Sequence, residues 1–100
     1  MEYSGETMNR IRNREEYHIA REYVSKLIIK RKQFNTKVNS YGIKNYISNY
    51  IAKYEPDRNN YISNEDLITA MIDSGFKYKK EFGKNNPNYL FNFNYYFKKI

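Results

Sequence analysis

The sequence predicts a small α+β domain of the winged-helix type, in which three helices are followed by a β-hairpin that forms the wing. Apolar residues recur at helical spacing in three segments before Gly75, and the period changes from about 3.6 to 2 after it. The length of 100 residues, without an internal repeat, fits one domain with one hydrophobic core. We therefore predict a single winged-helix-like domain over residues 10–100, preceded by a flexible N-terminal extension over residues 1–9.

The first predicted helix runs from about residue 14 to residue 32. Asn13 precedes it as an N-cap, and Glu16 follows at the spacing of a capping box. A helical plot at about 100° per residue places one apolar stripe on the core side. The stripe consists of Tyr17, Ala20, Val24, Leu27 and Ile28.

The second predicted helix covers about residues 41–54. Ser40 stands at the N-cap position, and Pro56 lies where the helix has to end. Its apolar and aromatic residues fall on one face, which is first of all a core face. That face consists of Ile43, Tyr46, Ile47, Tyr50, Ile51 and Tyr54.

The third predicted helix covers about residues 64–74. Ser63 and Asp66 have the spacing of an N-cap and a third helical position, and Gly75 follows as a left-handed C-terminal residue. The inward residues are predicted to be Leu67, Ile68, Met71 and Ile72. The outward residues are predicted to be Glu65, Asp66, Thr69, Ala70 and Asp73.

A β-hairpin is predicted after the third helix, with strands at about residues 76–80 and 89–95. Aromatic residues alternate with lysine in the first strand and with leucine or asparagine in the second, which predicts one aromatic face. The connecting segment from Glu81 to Asn88 contains glycine, asparagine and proline, and it is longer than a tight turn.

The composition excludes several classes of site. The chain has no cysteine, so it has no disulfide, no thiol nucleophile and no cysteine-based metal site. Its single histidine, His18, falls on the polar side of the first helix and has no second imidazole with which to share a metal. There is no glycine-rich phosphate loop. We expect a protein without enzymatic activity, cofactor or metal, and a cytoplasmic location because no signal peptide or membrane span is evident.

The net charge of +7 suggests a nucleic-acid ligand, although the abundance of Asn, Lys, Ile and Tyr, 49 residues together, also fits a genome rich in A and T. The position of the charges is more informative than their number. Residues 61–74 carry three acids and no base, whereas residues 75–100 carry six lysines and one glutamate. Phosphate would repel the three acids of the third helix, so this helix is not expected to enter a DNA groove.

The hairpin is the better candidate for contact with nucleic acid. Its lysines would follow a phosphate backbone, and nearby aromatic rings would stack on unpaired bases, as in proteins that hold single strands. The candidate residues are Lys77, Lys79, Lys80, Lys84, Phe82 and Tyr96. The alternative is a solvated strand face beside core aromatics.

A protein-binding face is also predicted. Ile19 and Ile29 point away from the apolar stripe of the first helix, beside basic residues whose aliphatic stems can pack against a partner. The candidate partner-binding residues are Arg14, Ile19, Arg21, Ile29, Lys32, Glu65, Asp66 and Asp73. Isolated exposed isoleucines are also common on ordinary surfaces.

A little over half of the chain resembles a family of small proteins from phages, plasmids and other mobile elements. The matching positions are Ser40, Tyr41, Lys44, Tyr61, Ser63, Asn64, Ile68, Ala70, Gly75, Phe76, Phe91 and Asn92. Within this family the chain is most similar to the small middle proteins of staphylococcal cassette chromosomes. The resemblance implies an accessory that binds an A-family DNA polymerase and lets it begin strands without a primer.

Three functions are therefore carried forward from the sequence. The first is a DNA-replication accessory of a mobile element that binds a polymerase and single-stranded DNA, as a monomer within a heterocomplex. The second is a winged-helix regulator of transcription or excision that binds duplex DNA. The third is an inhibitor of a host defence enzyme, in which the acidic third helix mimics DNA.

Overall fold

The computed structural model describes residues 4–83 and 85–95, which form an α+β domain as predicted. Within these residues there are four helices and four short strands. In chain order they are α1 (Gly5–Arg12), α2 (Glu15–Leu27), β1 (Ile28–Lys30), α3 (Ser40–Tyr54), α4 (Asn64–Asp73), β2 (Tyr78–Lys80), β3 (Tyr89–Phe91) and β4 (Phe93–Tyr95). This arrangement is consistent with a winged-helix-like fold.

The strands form two antiparallel pairs that share one length of chain. β2 pairs with β3, with Tyr78 opposite Phe91, and β1 pairs with β4, with Ile28 opposite Tyr95. Because only Asn92 separates β3 from β4, residues 89–95 act as one bent strand that is paired to two different segments. The wing is thereby joined to the strand that follows α2.

The core is built around α4. This helix contacts α1, α2 and α3, and its Leu67, Ile68 and Met71 are fully buried. The largest side chains packed in the same core come from α2, α3 and the bent strand, and include Tyr23, Leu27, Ile43, Ile47, Ile51, Phe91 and Phe93. Enclosure of α4 on several sides determines which of its residues remain available for a ligand.

The last five residues of the first predicted helix, 28–32, were predicted wrongly. Helix α2 ends at Leu27, and Ile28 has extended backbone angles, φ −121° and ψ 129°. Two consecutive β-branched residues, Ile28 and Ile29, favour a strand, and pairing with β4 stabilises it. Residues 31 and 32 therefore lie outside the helix, directly after β1.

The predicted flexible extension is also wrong for residues 5–9, which belong to α1. Ser4 caps this helix by accepting a hydrogen bond from the Thr7 N–H, and Met8 and Ile11 pack inward. Asn13, which the sequence suggested as the N-cap of the next helix, is the C-cap of α1, and Arg14 takes the N-cap position of α2. Helix α1 has only two buried apolar residues, too few for a periodic signal.

The predictions for the next two helices are close to the structure. Asn39, rather than Ser40, caps α3 by accepting from the Gly42 N–H. In α4 the capping box of Ser63 and Asp66 is present in both directions, as predicted. Gly75 has φ +88°, the left-handed conformation that favours glycine after a helix.

The predicted hairpin is correct in position but wrong in extent. β2 begins at Tyr78 rather than at residue 76, and its partner strand ends at Phe91. The remainder of the predicted second strand, residues 93–95, pairs with β1. Asn92 marks the change of partner, because its side chain bonds to the backbone of two other segments.

Helix α1 is fastened to the end of α4 by an ion pair. The Arg12 guanidinium donates to both carboxylate oxygens of Asp73, at 2.7 and 2.8 Å, and the Tyr17 hydroxyl donates to one of them at 2.6 Å. The hydrogen bonds from Arg12 hold the pKa of Asp73 below its usual range, although partial burial opposes the shift. This two-oxygen contact is the geometry in which arginine binds a carboxylate most strongly.

We expect this ion pair to make stability dependent on acid. A carboxyl whose pKa is lower in the folded state stabilises the fold above its unfolded-state pKa of about 3.9, and this contribution is lost as the pH falls through the folded value. The free energy of unfolding should therefore decline below about pH 4, and the decline should be shallower in Asp73→Asn. Urea unfolding of both proteins between about pH 6 and pH 3 measures this decline in the free energy of unfolding. An equal decline in both proteins would contradict a contribution from the Arg12–Asp73 ion pair.

Candidate nucleic-acid interface

The acidic residues of α4 face the protein itself, contrary to the sequence prediction. Asp66 is only 1% exposed and accepts hydrogen bonds from the Ser63 N–H at 2.9 Å and the Ser63 hydroxyl at 2.8 Å. Arg14 approaches its other carboxylate oxygen at 3.4 Å. Since Asp73 is paired with Arg12, only Glu65 of the three acids is left without an ion pair among the described residues.

Two other outward residues of α4 were also predicted wrongly. Thr69 and Ala70 are fully buried, because α1 and α2 cover the side of the helix that the helical plot leaves open. In a winged-helix protein that reads duplex DNA, the third core helix enters the major groove. Here the equivalent helix, α4, is enclosed, so burial as well as charge disfavours that role.

Some residues of the partner-binding face predicted for the first helix are buried or paired, and others are exposed. Ile19 is 4% exposed and belongs to the core, and Arg14 is held near Asp66. Arg21, Ile29 and Lys32 are exposed. The prediction for Ile19 fails because α2 packs on more than one side, which widens its buried surface beyond a single stripe.

Asn92 bonds to two separate backbone segments, one directly after β1 and one directly before β2. Its side-chain amide donates to the Arg31 carbonyl at 2.8 Å and its side-chain oxygen accepts from the Lys77 N–H at 2.7 Å. Its own carbonyl accepts from the Arg31 N–H at 3.0 Å. The residue after β1 and the residue before β2 are therefore held against the same side chain.

This junction gathers two basic runs that are far apart in the sequence. We call them together the basic surface, which consists of Lys30, Arg31, Lys32, Lys77, Lys79 and Lys80. All six residues are exposed. Lys77, Lys79 and Lys80 were predicted from the sequence to contact nucleic acid, and Lys32 was predicted to contact a protein partner. Lys30 and Arg31 were missed because residues 14–32 were interpreted as one helix.

Aromatic rings and backbone carbonyls hold part of the basic surface in place. The Lys79 ammonium lies 4.6 Å from the centre of the Phe34 ring, and the Lys30 ammonium lies 5.2 Å from that of Phe76. The Arg31 guanidinium donates to the Gln33 and Phe34 carbonyls. Cation–π contacts of this kind are weak at exposed sites, so the charges remain available to an anionic ligand.

The loop after β2 presents an aromatic side chain. Phe82 is 100% exposed, and the backbone around it is closed by hydrogen bonds from the Glu81 N–H to the Asn88 carbonyl and from the Asn86 N–H to the Gly83 carbonyl. The Glu81 carboxylate accepts from the amides of Asn39 and Asn86, which ties this acid into the loop. Lys84 and Tyr96, also predicted to contact nucleic acid, lie outside the described residues.

The site combines exposed cations with an exposed aromatic ring. Lysine and arginine neutralise phosphates without sequence information, and an exposed ring such as Phe82 offers a stacking surface to an unpaired base. Residues 4–83 and 85–95 bring together no group of three or more side chains suited to a metal ion. His18 is exposed on α2, on the polar side that the sequence predicted.

Comparisons with known proteins do not add evidence on the function. No family model, no curated protein and no solved structure matches the chain. Among the helices described here, none is both long enough and apolar enough to cross a bilayer.

Proposed function

We propose that this protein is a non-catalytic DNA-replication accessory of a mobile genetic element. It binds single-stranded DNA with the basic surface and binds a DNA polymerase with a neighbouring face. The observation that carries the proposal is the Asn92 junction, which bonds the backbones of two distant basic segments to one side chain in a strongly basic chain. Polymerisation belongs to the partner.

Single-stranded DNA is the ligand that these side chains suit best. Proteins that hold single strands combine a basic track for the phosphates with aromatic rings on which bases stack. Phe82 at the loop and the half-exposed Tyr78 of β2 provide such rings next to the lysines. The enclosure of α4 removes the element with which a winged-helix regulator would read a duplex.

The identity of the partner rests on the resemblance alone. The positions shared with the mobile-element family, and with the middle protein of staphylococcal cassette chromosomes in particular, support an A-family DNA polymerase and a role in strand initiation without a primer. A cytoplasmic location is part of the same proposal, because replication takes place there. The inward orientation of Asp66 and Asp73 disfavours the alternative in which α4 mimics DNA to inhibit a defence enzyme.

Charge reversal at the start of β2 tests DNA binding. Lys79 lies on β2, Lys77 is the residue just before it, and both side chains are exposed. We expect Lys77→Glu/Lys79→Glu to weaken binding of a fluorescent oligo(dT) at least about tenfold at low salt, because two phosphate contacts become repulsive. Fluorescence anisotropy provides the dissociation constants.

A second double variant controls for net charge. Lys44 and Lys53 lie on α3, and each ammonium stands over a tyrosine ring, as that of Lys79 stands over Phe34. Lys44→Glu/Lys53→Glu changes the net charge equally and should retain most of the affinity. If the two double variants lose affinity to the same extent, binding is non-specific attraction to a basic protein and the proposed interface is wrong.

A further inference from the structure

An open groove of about 590 Å³ lies between the second half of α2, strand β1 and the end of α4. Its apolar wall includes Val24, Ile28, Ile29 and Phe76, and its rim includes Arg21 and Lys30. Arg21 and Val24 lie on the last turns of α2, and Ile28 is its C-cap residue, so the groove follows the end of the helix over roughly 10 Å. This length accommodates a short peptide segment rather than a whole domain.

Ile29 is the exceptional side chain in this groove. It is 45% exposed and is the one exposed large aliphatic residue among residues 4–83 and 85–95, where the other exposed large hydrophobic residues are tyrosine or phenylalanine. Its neighbour Ile28 points into the core and is 5% exposed, as the alternation of a strand requires. An isoleucine at the mouth of an apolar groove gains from being covered.

The charges around the groove favour an acidic ligand. Arg21 and Lys30 are exposed cations on its rim. Asp73 also lines the groove, but both of its oxygens accept hydrogen bonds from Arg12 and one accepts from Tyr17. A ligand therefore meets two positive charges and one carboxylate that is already neutralised.

We infer that this groove binds a short segment of a partner protein in which an aliphatic side chain stands beside aspartate or glutamate. The aliphatic group covers Ile29, and the carboxylate pairs with Arg21, because Lys30 also belongs to the basic surface. Nucleic acid fits the groove less well, because its sugar–phosphate backbone has no aliphatic side chain to cover Ile29. The inference rests on the proposed function, and it specifies the chemistry of the partner-binding face.

Selection from a displayed library of short random peptides tests this inference on the full-length protein. Enriched peptides should carry Leu, Ile or Val next to an acidic residue. As synthetic peptides they should bind Ile29→Ser and Arg21→Glu about tenfold more weakly than the parent protein, because an apolar anchor or an ionic contact is lost. Tyr61→Ser removes another exposed side chain, away from the groove lining, and should leave their affinity unchanged.

Two results would overturn the inference. One is enrichment of peptides without acidic residues, and the other is equal affinity of the enriched peptides for the parent protein and both groove variants. If Ile29→Ser does not fold, Arg21→Glu alone provides the comparison of peptide affinity with the parent protein. An oligo(dT) titration of the same proteins separates DNA binding by the basic surface from peptide binding by the groove. Absence of oligo(dT) binding by the parent protein contradicts the proposed function. Weaker oligo(dT) binding by Ile29→Ser than by the parent protein assigns the groove to nucleic acid and overturns the inference.

Discussion

Replacing Asn92 with alanine will lower the free energy of unfolding by about 2 kcal/mol and will also weaken binding of single-stranded DNA. The Asn92 side chain is the partner of the Lys77 N–H and the Arg31 carbonyl, and the residue is 6% exposed. Alanine leaves both backbone groups without that partner, and each of these partly buried bonds contributes about 1 kcal/mol net. The strand pairings remain, but the two basic runs are held less firmly relative to each other.

Urea unfolding and oligo(dT) anisotropy measure the two effects on one preparation of protein. Asn94→Ala is the matched control, because it changes the same residue type two positions along the bent strand at an exposed site. It should alter the free energy of unfolding by less than about 0.5 kcal/mol. If Asn92→Ala behaves like Asn94→Ala in both assays, Asn92 does not organise the interface.

Replacing Phe82 with alanine will weaken single-stranded DNA binding by about tenfold and leave stability unchanged. The side chain is fully exposed and makes no core contact, so its removal has no packing consequence. Base–aromatic stacking contributes about 1–3 kcal/mol per base, which corresponds to roughly 5-fold to 150-fold in affinity. Binding of duplex DNA of equal length should change much less, because paired bases are not available to the ring.

Tyr61→Ala is the control for this substitution, since Tyr61 is another exposed aromatic residue, at 64%. Anisotropy titrations with oligo(dT) and with a hairpin duplex, at one salt concentration, provide the comparison. If Phe82→Ala loses equal affinity for single-stranded and duplex DNA, Phe82 does not stack on unpaired bases. Equal losses for Phe82→Ala and Tyr61→Ala would make the effect non-specific.

Local signals in the sequence were sufficient for the helices whose ends are set by their own residues. Helix α4 is the clearest case, because Ser63, Asp66 and Gly75 specify its beginning and its end within a few positions. The distant partners of its side chains, Arg14 for Asp66 and Arg12 for Asp73, were not predictable in this way. Asp66 and Asp73 fall outward on a helical plot, and they are covered because α1 and α2 both pack against α4.

The candidate interface shows the same division. Lys77, Lys79 and Lys80 form a visible run in the sequence, whereas the contribution of Lys30 and Arg31 depends on β1 pairing with β4. That pairing requires knowledge of the strand register across more than 60 positions. Asn92 was noted in the sequence as part of a family motif, but its role as the link between Arg31 and Lys77 is a property of the folded chain.

The central claim is that the basic surface holds the backbone of single-stranded DNA, and the salt dependence of oligo(dT) binding tests it most directly. Each phosphate contact on a single strand contributes about −0.7 to the slope of log affinity against log salt, so four or five contacts predict a slope of about −3. Lys77→Glu/Lys79→Glu should make this slope shallower by at least about 1, while Lys44→Glu/Lys53→Glu should preserve it. A parent slope near zero, or the same slope in all three proteins, would contradict the claim.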